Sequence, residues 1–186
     1  MPVIGLGLGL GALSERYTWP FFPNYRDVVT MTTGTDEDIE TRALARAKAI
    51  LIAEEGRRND VYRDTRGFLT VGIGHKVIPA DNLVYGQTIS NERIDSLFAT
   101  DIARAFTAAV SQAKEIGRYN VDMVARLTSV NFQLGTAWRT KFPNTWTLIK
   151  NGNINQAIQN LINSAWYQQT PTRVANFIST LQSQYA

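Results

Sequence analysis

The sequence predicts an α+β fold with a small antiparallel sheet and a larger helical part. Three features predict it: a helical apolar stripe that begins near residue 35, two strand-like runs between residues 61 and 73, and successive helical patterns from residue 90 onward. Strands confined to one stretch and helices to the rest are typical of this class. The length of 186 residues suits a small lobe joined to a larger one.

The composition excludes several classes of function. The chain has no cysteine, which rules out disulfide frameworks and thiol nucleophiles, and its one histidine leaves no room for a multi-histidine metal site. No apolar run approaches the roughly 20 residues that a membrane-spanning helix needs. The net charge of +3 fits a polyanionic partner such as bacterial cell wall or nucleic acid. The sequence has no cluster of basic residues interleaved with aromatic residues, which argues against nucleic acid as the partner.

The sequence of residues 1–34 predicts that this N-terminal segment is extended. Alternating Gly and Leu between residues 5 and 11 precede a stretch rich in aromatic residues and proline, between Tyr17 and Tyr25. Proline blocks helix formation there, and no amphipathic stripe would let the segment fold alone. Two interpretations stay open: a strap that lies along its own domain, or an arm that docks on another protein by strand addition.

The first helix is predicted to begin after Thr35 and to end at Gly56. Thr35 is a suitable N-cap, and three acids follow it in the first turn, where the helix dipole favours anions. The apolar stripe of this helix consists of Ala43, Leu44, Ala47, Ile50 and Leu51. Residues 61–73 then indicate two strands joined by a turn at residues 64–67.

The rest of the chain predicts a bundle of helices. Ser90 can cap a long one, and a second at residues 120–134 stops at Gly135. Residues 144–150 form a short helix, and another starts at Asn153. Thr170 followed by Pro171 is typical of an N-cap with proline in the first helical position, opening the last helix.

Two acids stand out because of where the local structure puts them. Glu55 extends the apolar stripe four residues beyond Leu51 and lies at the C-terminal end of its helix. Partial desolvation and the dipole both favour the protonated acid there, which suits a general acid. Asp64 opens the hairpin turn, where a carboxyl is hydrated, hydrogen-bonded and ionised. Glycoside hydrolysis uses two carboxyls in such contrasting environments.

Three segments resemble phage lysozymes of the T-even type. They are EG at 55–56 with VYRDTRGFLTVGIGH at 61–75, NFQLG at 131–135, and WYQQTPTR at 166–173. They occur in the family's order and span roughly residues 50–182. The resemblance implies a two-lobed lysozyme-like domain at residues 35–186, with the small lobe at about residues 57–88.

The resemblance also implies a role for each matching residue. Glu55 would donate a proton to the glycosidic oxygen, Asp64 would activate or orient the attacking water, and Thr70 would help to hold that water. The family inverts anomeric configuration, so we expect the carboxyls to lie about 6.5–9.5 Å apart. The positions that match sugar contacts of the family are Gly74, Phe132, Thr145 and Asn160. Lys76 stands where an apolar residue is usual and is left out of the predicted site.

Two ion pairs are predicted as structural features. Asp101 lies on an otherwise apolar helical stripe, where an acid needs a partner, and His75 is the obvious candidate. The family places an ion pair at these two positions. Such a pair would raise the pKa of His75. By resemblance, Arg173 pairs with Glu55 across the cleft.

Together these inferences predict a lysozyme that hydrolyses the β-1,4 bond between N-acetylmuramic acid and N-acetylglucosamine in peptidoglycan, without cofactor or metal. The alternative function is a non-catalytic virion module that keeps the fold. The predicted location is the tail or injection apparatus of a phage particle, with residues 1–34 contacting other virion proteins. The alternative location is the host cytoplasm, with release to the periplasm at lysis.

Overall fold

A computed structural model describes residues 35–186, and the predictions made for residues 1–34 lie outside this range. The elements follow the predicted order of helix, sheet and helices. None of the helices in residues 35–186 is both long and apolar enough to cross a membrane. The elements are α1 (Asp36–Glu55), β1 (Arg58–Arg63), β2 (Leu69–Gly72), β3 (His75–Lys76), a 3₁₀ helix (Pro79–Asp81), α2 (Asn91–Glu115), α3 (Val121–Leu134), α4 (Trp138–Lys141), α5 (Pro143–Lys150), α6 (Ile154–Ile162), α7 (Ala165–Gln169) and α8 (Pro171–Tyr185).

Three of the helices begin at the residues that the sequence predicts, and the side chains cap them. The Thr35 hydroxyl accepts a hydrogen bond from the backbone N–H of Asp38 at 3.3 Å. Ser90 does the same for Arg93 at 3.2 Å, and Asn120 for Met123 at 3.0 Å. Each cap satisfies one of the N–H groups that a helix leaves without an internal partner.

The predicted N-cap at Thr170 is wrong in its chemistry, although α8 does begin at Pro171. The Thr170 hydroxyl donates to the carbonyl of Trp166 at 3.3 Å and accepts from the side-chain amide of Gln133 at 3.1 Å. It therefore serves the end of α7 and a contact with α3, and no backbone N–H of α8 binds it.

The sheet has the strand order β1-β2-β3, with both neighbouring pairs antiparallel. The turn at residues 64–67 joins β1 to β2, as predicted. The two-residue strand β3 escaped prediction because two residues are too few to show an alternating pattern. It pairs Lys76 with Thr70 and His75 with Val71. This third strand brings residues 74–76 alongside the predicted water-holding threonine.

Two apolar clusters form the core of residues 35–186, and three helices, α1, α2 and α3, contribute to both. The smaller cluster joins the sheet to Leu51 of α1 and to Ile94 and Phe98 of α2. The larger cluster joins Ala43 of α1 and Ala109 of α2 to the helices that follow. Since α1, α2 and α3 each contribute side chains to both clusters, the two lobes share these helices. The small lobe's core thus extends beyond the predicted residues 57–88.

A buried pair of amide side chains fastens α2 to α3. Gln112 and Asn131 each donate to the other, at 3.0 and 3.1 Å, and Trp138 donates its indole N–H to Gln112 at 3.3 Å. Asn131 also donates to the carbonyl of Ala105. These contacts satisfy polar groups that would be costly to bury alone.

Candidate active site

A cleft of about 1090 Å³ lies between the sheet and the helical part of the domain. The end of α1 and the hairpin form one side, and the C-terminal end of α3 with the α7–α8 junction forms the other. Six predicted site residues line it: Glu55, Asp64, Thr70, Gly74, Phe132 and Arg173.

Glu55 is held at the cleft by one of its two carboxyl oxygens. It is the last residue of α1, and both terminal nitrogens of Arg173 donate to its Oε1, each at 3.0 Å. This is the predicted ion pair. Among residues 35–186, no group donates a hydrogen bond to the second oxygen, Oε2, which lies against the backbone of Gly74. A Cβ at Gly74 would stand 3.0 Å from that oxygen.

Asp64 is anchored in the same one-sided way. Its Oδ1 accepts the backbone N–H groups of Arg66 and Phe68, both at 2.9 Å, which shapes the hairpin turn. Removal from water opposes its ionisation. The two N–H groups and the charges of Arg66 and Lys76 outweigh this and lower the pKa of Asp64. The sequence-based expectation of an ionised acid at this turn is therefore supported.

Thr70 lies at the floor of the cleft on β2, with 5% of its surface exposed. Its hydroxyl donates to the carbonyl of Phe68 at 3.3 Å. Because the proton is used there, the oxygen is left to accept a hydrogen bond from a molecule in the cleft. This orientation suits a residue that holds water.

Behind Arg173 lies a set of residues that sequence reasoning missed. Glu54 contacts Arg173 Nε at 3.2 Å, pairs with Arg126 at 2.7 Å and accepts the hydroxyl of Ser129. Glu54 and Arg126 side chains are each only 13% exposed. Glu54 therefore holds the guanidinium of Arg173 in the position from which it donates to Glu55. The only local signal was a second acid directly before Glu55.

The helical wall of the cleft joins the two downstream segments that carried the resemblance. Gln133 accepts the indole N–H of Trp166 at 2.9 Å and donates to Thr170 at 3.1 Å. Phe132 packs edge-on against Phe98, with ring centroids 6.0 Å apart. Residues from α3, α7 and α8 thus form this wall of the cleft, and Phe98 of α2 supports it from the core.

His75 forms the predicted pair with Asp101, at 2.7 Å from Nδ1. A second carboxylate, Asp81 of the 3₁₀ helix, accepts from Nε2 at 2.9 Å and was not predicted. The hydrogen bond to Asp101 raises the pKa of His75. Desolvation opposes the rise, and Asp81 reinforces it. The trio ties β3 to α2 and to the 3₁₀ helix, which supports a structural role.

Three predictions about the sugar-binding residues differ from what the structure shows. Thr145 is 4% exposed and faces the larger core from α5, because its helix turns positions 145 and 149 inward. Asn160 is exposed on α6, opposite the face that packs into the core. Neither residue lines the cleft. Lys76, which the prediction left out, does line it.

Comparisons with known proteins agree with this geometry. A family model described as phage lysozyme matches residues 52–178. The chain is 34% identical over 127 residues to the peptidoglycan hydrolase gp36 of Pseudomonas phage phiKMV, covering 68% of this chain and 14% of that protein. It is 28% identical over 158 residues to the probable T4-type lysozyme 2 of Dictyostelium discoideum, covering 73% and 93%.

A further relative is the pre-baseplate central spike protein Gp5 of Enterobacteria phage T4. The identity is 28% over 148 residues, covering 68% of this chain and 26% of that protein. The chain thus spans only a small part of the length of the two phage relatives, and almost the whole length of the Dictyostelium protein.

Proposed function

We propose, from the premise that this chain belongs to the phage lysozyme family, that its cleft hydrolyses the glycan chains of peptidoglycan. The proposed bond is the β-1,4 linkage between N-acetylmuramic acid and N-acetylglucosamine. The observation that carries the proposal is the pair of cleft carboxyls, Glu55 and Asp64. Among residues 35–186, the fold donates hydrogen bonds to only one oxygen of each acid.

The proposed mechanism gives a different step to the second oxygen of each acid, Glu55 Oε2 and Asp64 Oδ2. A proton on Glu55 Oε2 passes to the glycosidic oxygen as the bond from that oxygen to the anomeric carbon breaks. Water attacks the anomeric carbon from the opposite face and gives its proton to Asp64 Oδ2. Thr70 accepts a hydrogen bond from that water and orients it. Attack from the opposite face inverts the anomeric configuration, and neither step uses a cofactor or metal.

Arg173 positions the acid without consuming its reactive oxygen. Both of its hydrogen bonds fall on Oε1, and a protonated carboxyl can still accept there through its carbonyl oxygen. The ion pair therefore survives protonation of Oε2 as a hydrogen bond. Glu54 and Arg126 keep the guanidinium in this position.

The test is to replace each acid by its amide. We expect Glu55→Gln and Asp64→Asn each to lower the rate of clearing permeabilised Gram-negative cells by about 10²–10⁴-fold, because each loses a general acid or base. Glu37→Gln, an exposed acid in the first turn of α1, is the matched control. Wild-type rates in either cleft variant would contradict the assigned roles, and a retained anomeric configuration in the first product seen by NMR would contradict inversion.

The alternative of a non-catalytic virion module is decided by the same assay. A folded wild-type protein that binds cell walls but releases no reducing sugar would support that alternative. A place in the phage particle is supported by the relative that is named as a baseplate spike protein. We therefore propose that the chain acts on the host wall as part of a particle, with release from the host cytoplasm at lysis as the competing location.

A further inference from the structure

Two cations lie on the hairpin side of the cleft, where their charges help to lower the pKa of Asp64. Arg66 and Lys76 are both exposed and both line the cleft. Within residues 35–186, neither forms an ion pair. By contrast, Arg57, which directly precedes β1, pairs with Asp95, and Arg58 of β1 pairs with Asp60, both at 2.7 Å. We call Arg66 and Lys76 the hairpin cation pair.

Both members of the hairpin cation pair approach one aromatic ring. The Lys76 ammonium lies 4.8 Å and the Arg66 guanidinium 5.8 Å from the ring centre of Phe68, which is 53% exposed. The negative face of the ring attracts cations but does not neutralise their charge. Two like charges thus gather at the rim of the cleft, and an anion placed beside them would lower their mutual repulsion.

Keeping Asp64 ionised does not account for this whole arrangement. Asp64 Oδ1 already accepts two backbone N–H groups, which favour its charged form. The two cationic side chains also reach the ring of Phe68, which lies beyond the residues that line the cleft. Their charges are therefore available to a ligand that enters the cleft and extends past its rim.

We propose that Arg66, Lys76 and Phe68 form a binding site for a carboxylate of the peptide that peptidoglycan carries on its muramyl sugar. This inference rests on the proposed function. The N-acetylated sugars are uncharged, and the lactyl carboxyl of muramic acid is consumed in the amide bond to the peptide. The peptide carboxylates are therefore the anions that accompany this substrate. They branch from a sugar adjacent to the cleaved bond, within reach of the rim.

The chemistry of the site fits this ligand. Guanidinium and ammonium groups both donate to carboxylate oxygens, and guanidinium can do so with two parallel hydrogen bonds. Phe68 offers an apolar surface for the aliphatic part of the peptide. Arg66 and Lys76 would then determine the preference for peptide-bearing glycan, whereas Glu55 and Asp64 perform the cleavage.

The experiment compares two substrates that differ only in charge. Soluble peptidoglycan fragments are used as prepared, or after their peptide carboxyls have been converted to amides with carbodiimide and excess ammonia. The test variant is Arg66→Gln/Lys76→Gln. The matched control is Arg42→Gln/Arg104→Gln, which removes two positive charges from exposed positions of α1 and α2 that do not line the cleft.

We expect wild type and the control to have a KM about 5- to 10-fold lower for native than for amidated fragments, a factor typical of two partly exposed ion pairs. In the test variant this preference should disappear, through a rise in KM for native fragments alone. The preference of wild type should also shrink as salt is added, because the contacts are exposed to solvent.

Other outcomes would overturn the proposal. An equal loss on both substrates, mainly in kcat and with a shifted acidic limb of the pH profile, would show that the pair acts only through Asp64. Equal KM values of wild type for both substrates would show that no carboxylate is recognised. Tighter binding of a short single-stranded DNA than of native fragments would show a general polyanion site.

A binding measurement separates this inference from the proposed function. Calorimetric titration of Glu55→Gln with the two kinds of fragment tests the site without any turnover. If wild type cleaves amidated fragments but Glu55→Gln binds both kinds equally, the muramidase proposal stands and the peptide site is wrong. If Glu55→Gln prefers native fragments but wild type cleaves neither, the site stands and the muramidase proposal is wrong.

Discussion

In the described part of the chain, the two cleft carboxyls, Glu55 and Asp64, each accept hydrogen bonds at one oxygen only. Arg173 occupies Glu55 Oε1, and two backbone N–H groups occupy Asp64 Oδ1. The partners differ in kind, since one is a buried side chain from α8 and the other is the backbone of the turn itself. Asp64 is therefore held by its own turn, whereas the position of Glu55 depends on a residue 118 positions away.

Gly74 offers a test of how closely the backbone must approach the acid. Its φ of +68° is strained for any other residue, and a Cβ would stand 3.0 Å from Glu55 Cδ and Oε2. We expect Gly74→Ala to lower the free energy of unfolding by about 1–2 kcal/mol, from backbone strain. The displaced carboxyl should lower wall-clearing activity further, by at least about 10²-fold.

The matched control for that change is Gly117→Ala. Gly117 has a similar φ of +65°, and a Cβ there would meet no atom within 4 Å. We expect Gly117→Ala to lower the free energy of unfolding, measured by urea denaturation, as much as Gly74→Ala does. The folded variant should keep full wall-clearing activity. Equal activity losses in the two variants would show that strain alone, and not contact with Glu55, explains the effect at Gly74.

At this scale the sequence predicted the two acids that line the cleft but not the residues that support them. Their positions at a helix end and a turn made Glu55 and Asp64 stand out, and the resemblance to phage lysozymes assigned them a role. The contact of Glu54 with Arg126 joins residues 72 positions apart, and that of Glu54 with Ser129 joins residues 75 apart. No local periodicity indicates such pairs, because they exist only once α1 packs on α3.

At the scale of elements, His75 connects three of them through two carboxylates. Asp101 belongs to α2 and Asp81 to the 3₁₀ helix, and Arg93 approaches Asp81 at 3.9 Å. A neutral imidazole has one N–H and can donate to only one of the two acids, whereas the charged form donates to both. The attachment of β3 to α2 and the 3₁₀ helix therefore depends on the proton.

The stability contributed by this trio should follow pH. The raised pKa of His75 means that its contribution is complete below about pH 6.5 and is lost as pH rises through the folded-state value. Desolvation of Asp81 is outweighed by its bonds to His75 and the N–H of Ile78, so its pKa is lowered. Its contribution is present above about pH 3.8 and is lost as pH falls through the folded-state value.

We therefore expect His75→Asn to lower the free energy of unfolding by about 2 kcal/mol at pH 5, and by clearly less at pH 9. Urea denaturation at the two pH values measures the difference, and Glu37→Gln serves as a control with a small effect at both. An equal loss at pH 5 and pH 9 would mean that the trio contributes through packing and not through charge.

The elements that sequence analysis missed are all short. α4 has four residues, α7 has five and β3 has two, which is below the length at which a helical or alternating pattern can be recognised. Tertiary contacts specify them instead. Trp138 of α4, for example, is fully buried. Its ring packs edge-to-face against those of Trp146 and Phe177, with ring centroids 5.5 and 6.1 Å apart.

At the scale of the whole molecule, residues 35–186 contain two apolar clusters and the residues that line the cleft. We expect a variant lacking residues 1–34 to fold, with the unfolding temperature and wall-clearing rate of the full chain. Differential scanning calorimetry and the turbidity assay measure the two properties.

Two other results would identify a role for the deleted segment. An insoluble or inactive product would support the strap that lies along its own domain and would contradict independence of residues 35–186. Full activity together with loss of association with phage particles would support the docking arm.

The sequence by itself determined the α+β class and the starts of α1, α2, α3, α6 and α8, because caps and helix ends depend on residues a few positions apart. Its resemblance to phage lysozymes singled out the two acids that line the cleft. Only the tertiary structure decided which oxygen of each acid is free, that Asp81 joins His75, that Lys76 enters the cleft, and that Thr145 and Asn160 do not line it. Those properties depend on the angle at which distant elements pack, and no short stretch of chain specifies that angle.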